Sequence, residues 1–523
     1  MTEPAPSRNQ AGLLASNAAW NLARYVINWL VLLAVPPFLI HRLPRDVYAT
    51  WILLLQIATY YAMIDINLQT AVSRFVAQAV ANGCDALRMT LSSIVALLGG
   101  LAVVVLVCGI LAATFLDRIF PAIPVWLLPD ARIAALLIVG ALFVTLPFTA
   151  LVGAFLGFQR NRTITIAIVV SKLASGVAMI VAVRLGGSLI SLAVCFAVTT
   201  LLAPIVYVLS WRRAEERVPL SAKSVERRTI REFLSYSTSI GLIALSSMLV
   251  SGFALPIMSI FDFSGVTAYS LALVYGNMLL IPQAAILTVV LPMLSRQSMA
   301  ADAAGMGRAL LRFARLSGMS LVAFTAGLLV AGPPFLRLWI GTDLGAQVLP
   351  SAILLVLAQF VALSTHPYRI AVLSVGQQIR TVPTLLFEGV WSIALALVLV
   401  RQWGGTGVAA ATLLGALAGL FAQLFYSMPR TDAIVASRRG YARAAFALPL
   451  VSILPALAVL GLTWERDISL PVWVILIALG VAPSVGIAWL INLDTADRRM
   501  IWDMIVARLP YLRNRRARHN ADG

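Results

Sequence analysis

Charged and amide side chains inside long apolar runs are where this sequence places its chemistry. Arg24 sits near the middle of the first run, in Ser16-Asn-Ala-Ala-Trp-Asn-Leu-Ala-Arg-Tyr-Val-Ile-Asn28. Asn17, Asn21, Arg24 and Asn28 recur at i, i+4, i+7 and i+11, which sets all four on one helix face. A polar stripe of that length in hydrocarbon needs either a watery cavity or hydrogen bonds to neighbouring helices. Gln56, Tyr60, Met63, Asn67 and Arg74 form a second stripe in the next run. Lys172 is central in the fifth run, too deep to snorkel, and is either a cavity cation or half of a buried ion pair. Asp65 lies on another face of the second run, placed to pair with an arginine of a neighbouring helix or to sit among headgroups. Glu388 and Arg369 lie near the ends of their runs, where snorkelling is expected. Asp65, Arg74, Glu388 and Arg369 are the candidates for coupling or ion pairing. Arg24, Asn17, Asn21, Asn28, Gln56 and Lys172 are the candidates for binding a ligand. Two central cations with few acids suit an anionic ligand such as phosphate or pyrophosphate, because a guanidinium offers paired donors.

Other chemistries find little material. The three histidines, His41, His366 and His519, are scattered, so no metal cluster or catalytic triad is expected. Cys84, Cys108 and Cys195 show no CxxC spacing. No glycine-rich loop carries a lysine in the Walker arrangement. No cofactor is expected.

The elements that position these residues follow from composition. Of 523 residues, 61% are hydrophobic and 11% charged, with a mean hydropathy of +0.93. Soluble domains carry about 45–50% apolar and about 25% charged residues, so lipid must solvate much of this chain. Only helices and closed barrels satisfy their backbone in hydrocarbon. The runs lack the alternation of barrel strands, which leaves an all-α polytopic membrane protein. About fourteen spans are expected, near 13–40, 47–66, 89–116, 132–157, 163–183, 188–210, 233–260, 266–291, 310–335, 348–375, 382–400, 405–428, 444–463 and 470–492. The first run is too long for a signal-peptide core and is expected to stay as an uncleaved span.

A formal charge of +18 would suggest nucleic acid in a soluble chain, but the loops are too short for such a domain and no nucleic-acid partner is expected. With the N-terminus in the cytoplasm, 28 Lys and Arg fall on that side, 8 on the other, and three within spans. This bias fits the positive-inside rule with both termini cytoplasmic.

The chain also repeats itself. Arg162-Thr163 to Gly186-Gly187 matches Arg380-Thr381 to Gly404-Gly405, Leu146-Pro147-Phe148 matches His366-Pro367-Tyr368, and Pro36 and Tyr48 match Pro256 and Tyr269. Six spans per copy gives both copies one orientation, as in parallel-repeat transporters. The expected organisation is a six-helix lobe at 1–210, a cytoplasmic connection at 211–232, a second six-helix lobe at 233–430, two further helices within 444–492 and a basic cytoplasmic tail at 493–523. In the second copy Ala244 falls where Arg24 would be and Val390 where Lys172 would be, so the interior charge comes mainly from the first half.

The first 80 residues carry a family resemblance. Asn17, Pro36-Pro37-Phe38-Leu39, Tyr48, Trp51 and Tyr60-Tyr61-Ala-Met-Ile-Asp65-Ile-Asn-Leu-Gln-Thr-Ala71-Val-Ser-Arg74 resemble the polysaccharide-biosynthesis and O-antigen (Wzx-type) flippases of the MOP exporter superfamily. Asn67 stands where that pattern has Gly, and a Leu-Gly after the prolines is missing. The resemblance implies a non-enzymatic flippase of the bacterial inner membrane for polyprenyl-pyrophosphate-linked oligosaccharide. It also implies alternating access between the lobes, Arg24 as a cavity cation, and membrane lipids and other polysaccharide-assembly membrane proteins as partners. The alternative is an ion-coupled small-molecule exporter of the MATE type, which would want deep acids; Asp65 and Glu388 are few and peripheral. A membrane polymerase or ligase would want a large catalytic loop, and the longest on the expected outer side is near Asp117 to Ala131.

Overall fold

Proline punctuates this chain, and the breaks at Pro37, Pro256 and Pro367 are each met by a side chain from elsewhere in the sequence. A computed structural model describes residues 8–214, 217–283, 302–464 and 468–499, together with 286, 294 and 466. The helical segments are α1 (Arg8–Ile40), α2 (Arg45–Ala81), α3 (Cys84–Thr114), α4 (Val125–Gly157), α5 (Asn161–Arg184), α6 (Leu189–Arg212) and α7 (Arg227–Phe261). They continue as α8 (Phe263–Gln283), α9 (Ala303–Ile340), α10 (Thr342–Ser374), α11 (Gln378–Arg430), α12 (Arg438–Thr463) and α13 (Leu470–Ile491). Among the described residues there are no strands, and α2 to α13 are the twelve segments long and apolar enough to cross a membrane.

α11 accounts for two crossings. Its 53 residues would reach roughly 80 Å as one straight helix, against a hydrocarbon core of about 30 Å. Gly404 interrupts it with a left-handed φ of 51°, at the Gly404-Gly405 connection expected from sequence. A Cβ on Gly407 would strike Leu399, one on Gly415 would strike Ser392, and one on Gly419 would strike Glu388. As one number rises its partner falls, so the two arms pack antiparallel across a glycine-lined seam. Counting both arms, the described residues hold thirteen such crossings, with the shorter apolar stretch Val26–Ile40 of α1 in addition, in keeping with the expected fourteen or so.

The sequence repeat recurs in backbone geometry. Gln159 and Gly376 are both left-handed, at φ 57° and 73°. After α4, Gln159 N donates to Leu156 O (3.0 Å) and Arg160 N to Phe155 O (2.8 Å); after α10, Gly376 N donates to Leu373 O (3.1 Å) and Gln377 N to Val372 O (3.0 Å). Gly186 and Gly404 are left-handed as well, at 81° and 51°. Gly186 and Gly404 keep the 218-residue spacing of the sequence match and Gln159 and Gly376 fall one residue short of it, so the two copies end their helices in closely similar ways.

The proline breaks follow one rule. A proline cannot donate to the carbonyl four residues earlier, and an unsatisfied carbonyl in lipid costs several kcal/mol. Pro37 frees the Leu33 carbonyl, which accepts from Trp339 Nε1 at 2.7 Å. Pro256 frees the Gly252 carbonyl, which accepts from Gln56 Nε2 at 3.1 Å and Tyr60 Oη at 2.6 Å. Before Pro367 the Tyr441 hydroxyl enters the broken ladder, donating to Ser364 O (2.8 Å) and accepting from Tyr368 N (3.4 Å).

The chain forms two compact units. The first takes the described residues up to Ile281 with Arg337–Leu355 and Val382–Gly419; the second takes those of Pro282–Leu336, Val356–Thr381 and from Leu420 onward. In the first, α2 and α4 run parallel, with Gly153 against Val72 and Gly157 against Val76. The long polar connection before α7 is docked rather than free. Ser221 N and Glu226 N donate to the buried hydroxyls of Ser92 (3.1 Å) and Ser93 (2.8 Å) on α3. Val218 packs into a core of Leu68, Val72, Val76, Leu91 and Phe233. In the second unit, Asp497 is 2% exposed and takes Arg312 Nε (2.8 Å) and Arg315 Nε (2.9 Å), while Asn492 Nδ2 donates to Arg315 O (3.0 Å). That clamp fastens the segment following α13 to the start of α9.

Candidate functional site

The α2 stripe is a helix seam. Its side chains meet α7 one after another: Gln56 and Tyr60 on the Gly252 carbonyl, Met63 and Asn67 on a cavity shared with α7, and Arg74 with its guanidinium 4.4 Å from the Tyr236 ring centre. Phe75 adds an edge contact with Phe233 and a tilted one with Tyr236. Gln56, expected among the ligand-binding residues, is buried with its amide committed to the helix break. Pro256 creates a demand for a donor there, and Gln56 is at the right height to answer it.

The polar interior that the seam does not claim centres on Asp65. Its carboxylate accepts from Thr149 Oγ1 on α4 and from Gln69 Nε2 (2.7 Å). These are neutral donors, in place of the arginine or the headgroups expected from sequence. Tyr61 Oη bonds Thr145 Oγ1 at 3.1 Å one turn away. Asp65 and Arg24 both act electrostatically on the hydroxyl of Tyr207, which is buried on α6. Arg24, Asp65, Tyr61, Thr149 and Tyr207 are thereby gathered from α1, α2, α4 and α6.

Lys172 belongs near the same region. Arg162 lies over the Trp20 ring (5.7 Å), and Gly176 packs on Val31 and Val35. These pairs run in the same order, so α1 and α5 are parallel with an offset of about 143 residues, which places Lys172 near the level of Trp29 and roughly 7 Å along the axis from Arg24. Lys172 is exposed and Asn28 and Arg24 are half-buried. Asn17 and Asn21 lie on α1, but their side chains fall outside the described residues.

Glu388 departs from the expected snorkelling: it is 2% exposed and packs against Gly419 across the α11 seam. The missing Cβ at 419 makes room for the carboxyl, so the acid stays inside instead of reaching an interface. Arg369 is half-buried and within electrostatic reach of His366.

Sequence reasoning missed Thr149, Tyr61 and Tyr207. For Thr149 a signal existed: Thr145 and Thr149 bracket Leu146-Pro147-Phe148, and polar residues beside a proline break are placed to bond across it. Tyr207 carried none. Among the described residues no group of three or more His, Cys, Asp or Glu is placed to hold a metal.

No protein-family model matches the sequence, and no curated protein matches it either. Solved structures do. The lipid II flippase MurJ in an inward closed conformation aligns with a TM-score of 0.71 at 12% identity, over 90% of this chain and 97% of that one. An inward-facing multidrug resistance MATE family transporter of the MOP superfamily aligns at 0.63 and 14% identity, over 79% and 94%. A MATE in complex with MaD3S aligns at 0.59 and 16% identity, over 80% and 95%. The fold of this chain is the one shared by the lipid II flippase and the MATE transporters of the MOP superfamily.

Proposed function

We propose that this chain is a flippase that carries a polyprenyl-pyrophosphate-linked oligosaccharide across the bacterial inner membrane for surface polysaccharide biosynthesis. The observation that carries this reading is the likeness to a lipid II flippase over nearly the whole of both chains. The polar interior supports it. Arg24 and Lys172 bring two positive charges to one side of the first half, and a pyrophosphate offers the paired acceptors that a guanidinium fits. In this reading two six-helix lobes, 1–210 and 233–430, alternate access around that region, the two C-terminal helices follow, and both termini are cytoplasmic. Membrane proteins of polysaccharide assembly are its partners.

Deleting the gene tests the proposal. Lipid-linked glycan should accumulate on the cytoplasmic face and disappear from the surface; normal display without the protein ends this reading. Arg24→Ala should abolish export while leaving membrane insertion unchanged, and unimpaired export would remove Arg24 from the mechanism.

The second reading, an ion-coupled small-molecule exporter, is favoured by the MATE likeness and by two acids held inside the chain, Asp65 and Glu388. Increased drug susceptibility of the deletion strain, with intact glycan display, selects it.

A further inference from the structure

Between its two ties, the α2–α7 seam opens into a cavity of about 250 Å³, walled by Met63, Asn67, Ser237, Gly241, Ala244 and Leu245 among others. One tie is the pair of hydrogen bonds to the Gly252 carbonyl; the other is Arg74 stacked on Tyr236. The walls are nearly all carbon. Asn67 turns its amide nitrogen back to the Met63 carbonyl (2.6 Å), and the Ser237 hydroxyl oxygen is buried with no hydrogen-bond partner.

Water is a poor filler for this space. At about 30 Å³ per molecule, each needing two to four polar partners, several waters would share two polar side chains. Ile64 and Leu245 stand on the cavity wall and are about half exposed, at 49% and 54%. The opening is therefore edged with carbon, inside segments long and apolar enough to span a membrane. Hydrocarbon is the occupant that such walls favour. The Arg74 end adds charge. Arg74 is exposed, two helical turns beyond Asn67 on the same face of α2, and its ring partner Tyr236 directly precedes Ser237. A guanidinium beside the end of a hydrocarbon slot fits an anionic headgroup.

We propose that the α2–α7 cavity seats one acyl chain of an anionic glycerophospholipid, with its phosphate on Arg74. Ser237 donates its unused proton to an ester carbonyl of the same lipid. The seat does not depend on what the chain transports.

The test uses the full chain in phosphatidylcholine nanodiscs titrated with phosphatidylglycerol, with retained lipid read by native mass spectrometry. One phosphatidylglycerol should persist after the annular lipid is stripped. Gly241→Leu, which fills the slot, should remove it. Arg74→Gln should keep a lipid but lower the preference for phosphatidylglycerol over phosphatidylcholine by about tenfold, the size of one charge-assisted hydrogen bond. Should Gly241→Leu fail to accumulate, Ser237→Ile blocks the slot at a side chain that makes no hydrogen bond. Retention unchanged in the filled variant overturns the proposal, as does the absence of any retained lipid. Displacement of phosphatidylglycerol by an equimolar polyprenyl phosphate also overturns it, by making the cavity a substrate passage.

Discussion

The Gly252 carbonyl is shared by two donors, and that sharing sets a measurable non-additivity. Pro256 denies it the usual helical partner, and Gln56 and Tyr60 supply bonds of 3.1 and 2.6 Å. Gln56→Leu or Tyr60→Phe alone leaves one donor in place. Each should cost about 0.6–1 kcal/mol, the usual size of a side-chain hydrogen bond between membrane helices. Removing both leaves a buried carbonyl with no donor, which adds a desolvation penalty of roughly 1–3 kcal/mol. The double variant should therefore lose about 3 kcal/mol, with a coupling of about 1–2 kcal/mol between the two sites. Reversible unfolding in mixed micelles, titrated with sodium dodecyl sulfate, measures all four corners of the cycle. Strictly additive losses would show that the carbonyl is not the shared acceptor. A transport defect in Gln56→Leu with full stability would return Gln56 to the ligand.

Three further perturbations follow from the packing. Gln159 holds a left-handed φ where the matching position of the second copy has Gly376; Gln159→Gly should raise stability and Gly376→Ala lower it, each by about 1 kcal/mol, read by thermal melting in detergent. Asp497→Ala removes the acid that Arg312 and Arg315 share while Arg315 keeps Asp494 (2.8 Å); because Arg312 is 43% exposed, the loss should be about 2 kcal/mol rather than the roughly 3–5 of a fully buried pair, and proteolysis of the C-terminal segment should accelerate. Gly419→Leu drives a side chain into the Glu388 carboxyl and should part the α11 arms, which spin labels on both arms would detect as a lengthened distance; Gly461→Leu, where a Cβ meets nothing within 4 Å, is the control.

What could be read from the sequence was what one segment decides by itself. Apolar length sets the spans, and Gly404-Gly405 marks the turn that makes α11 two crossings. The paired motifs around Pro147 and Pro367 mark the repeat, which returns as matched left-handed residues at Gln159 and Gly376. Each proline also announces an orphaned carbonyl four residues earlier. What answers that carbonyl is decided by packing: Trp339 lies 306 positions from Leu33 and Gln56 lies 196 from Gly252. Glu388 shows the same limit. Its depth is set by a missing methyl at Gly419, which the local pattern near residue 388 does not contain.

This distinction separates the two stripes that look alike in sequence. A carbonyl left open at a proline break needs only a neutral donor: Gln56, Tyr60 and Trp339 serve the carbonyls that Pro256 and Pro37 free, and Tyr441 inserts between Ser364 O and Tyr368 N beside Pro367, all of them neutral. A guanidinium or an ammonium deep in a span is a costly way to meet the same need. Arg24 and Lys172 come from parallel helices and fall near one level, while Asp65, the acid nearest in function, already takes two neutral donors. Neither cation serves a backbone break at Leu33, Gly252 or Ser364. Replacing charge with a neutral donor divides the two roles: Arg24→Gln should leave unfolding unchanged and stop export, whereas Gln56→Leu should weaken the fold and leave export running. If both variants fail in the same way, the stripes do not differ in kind and Arg24 is one more tie between helices.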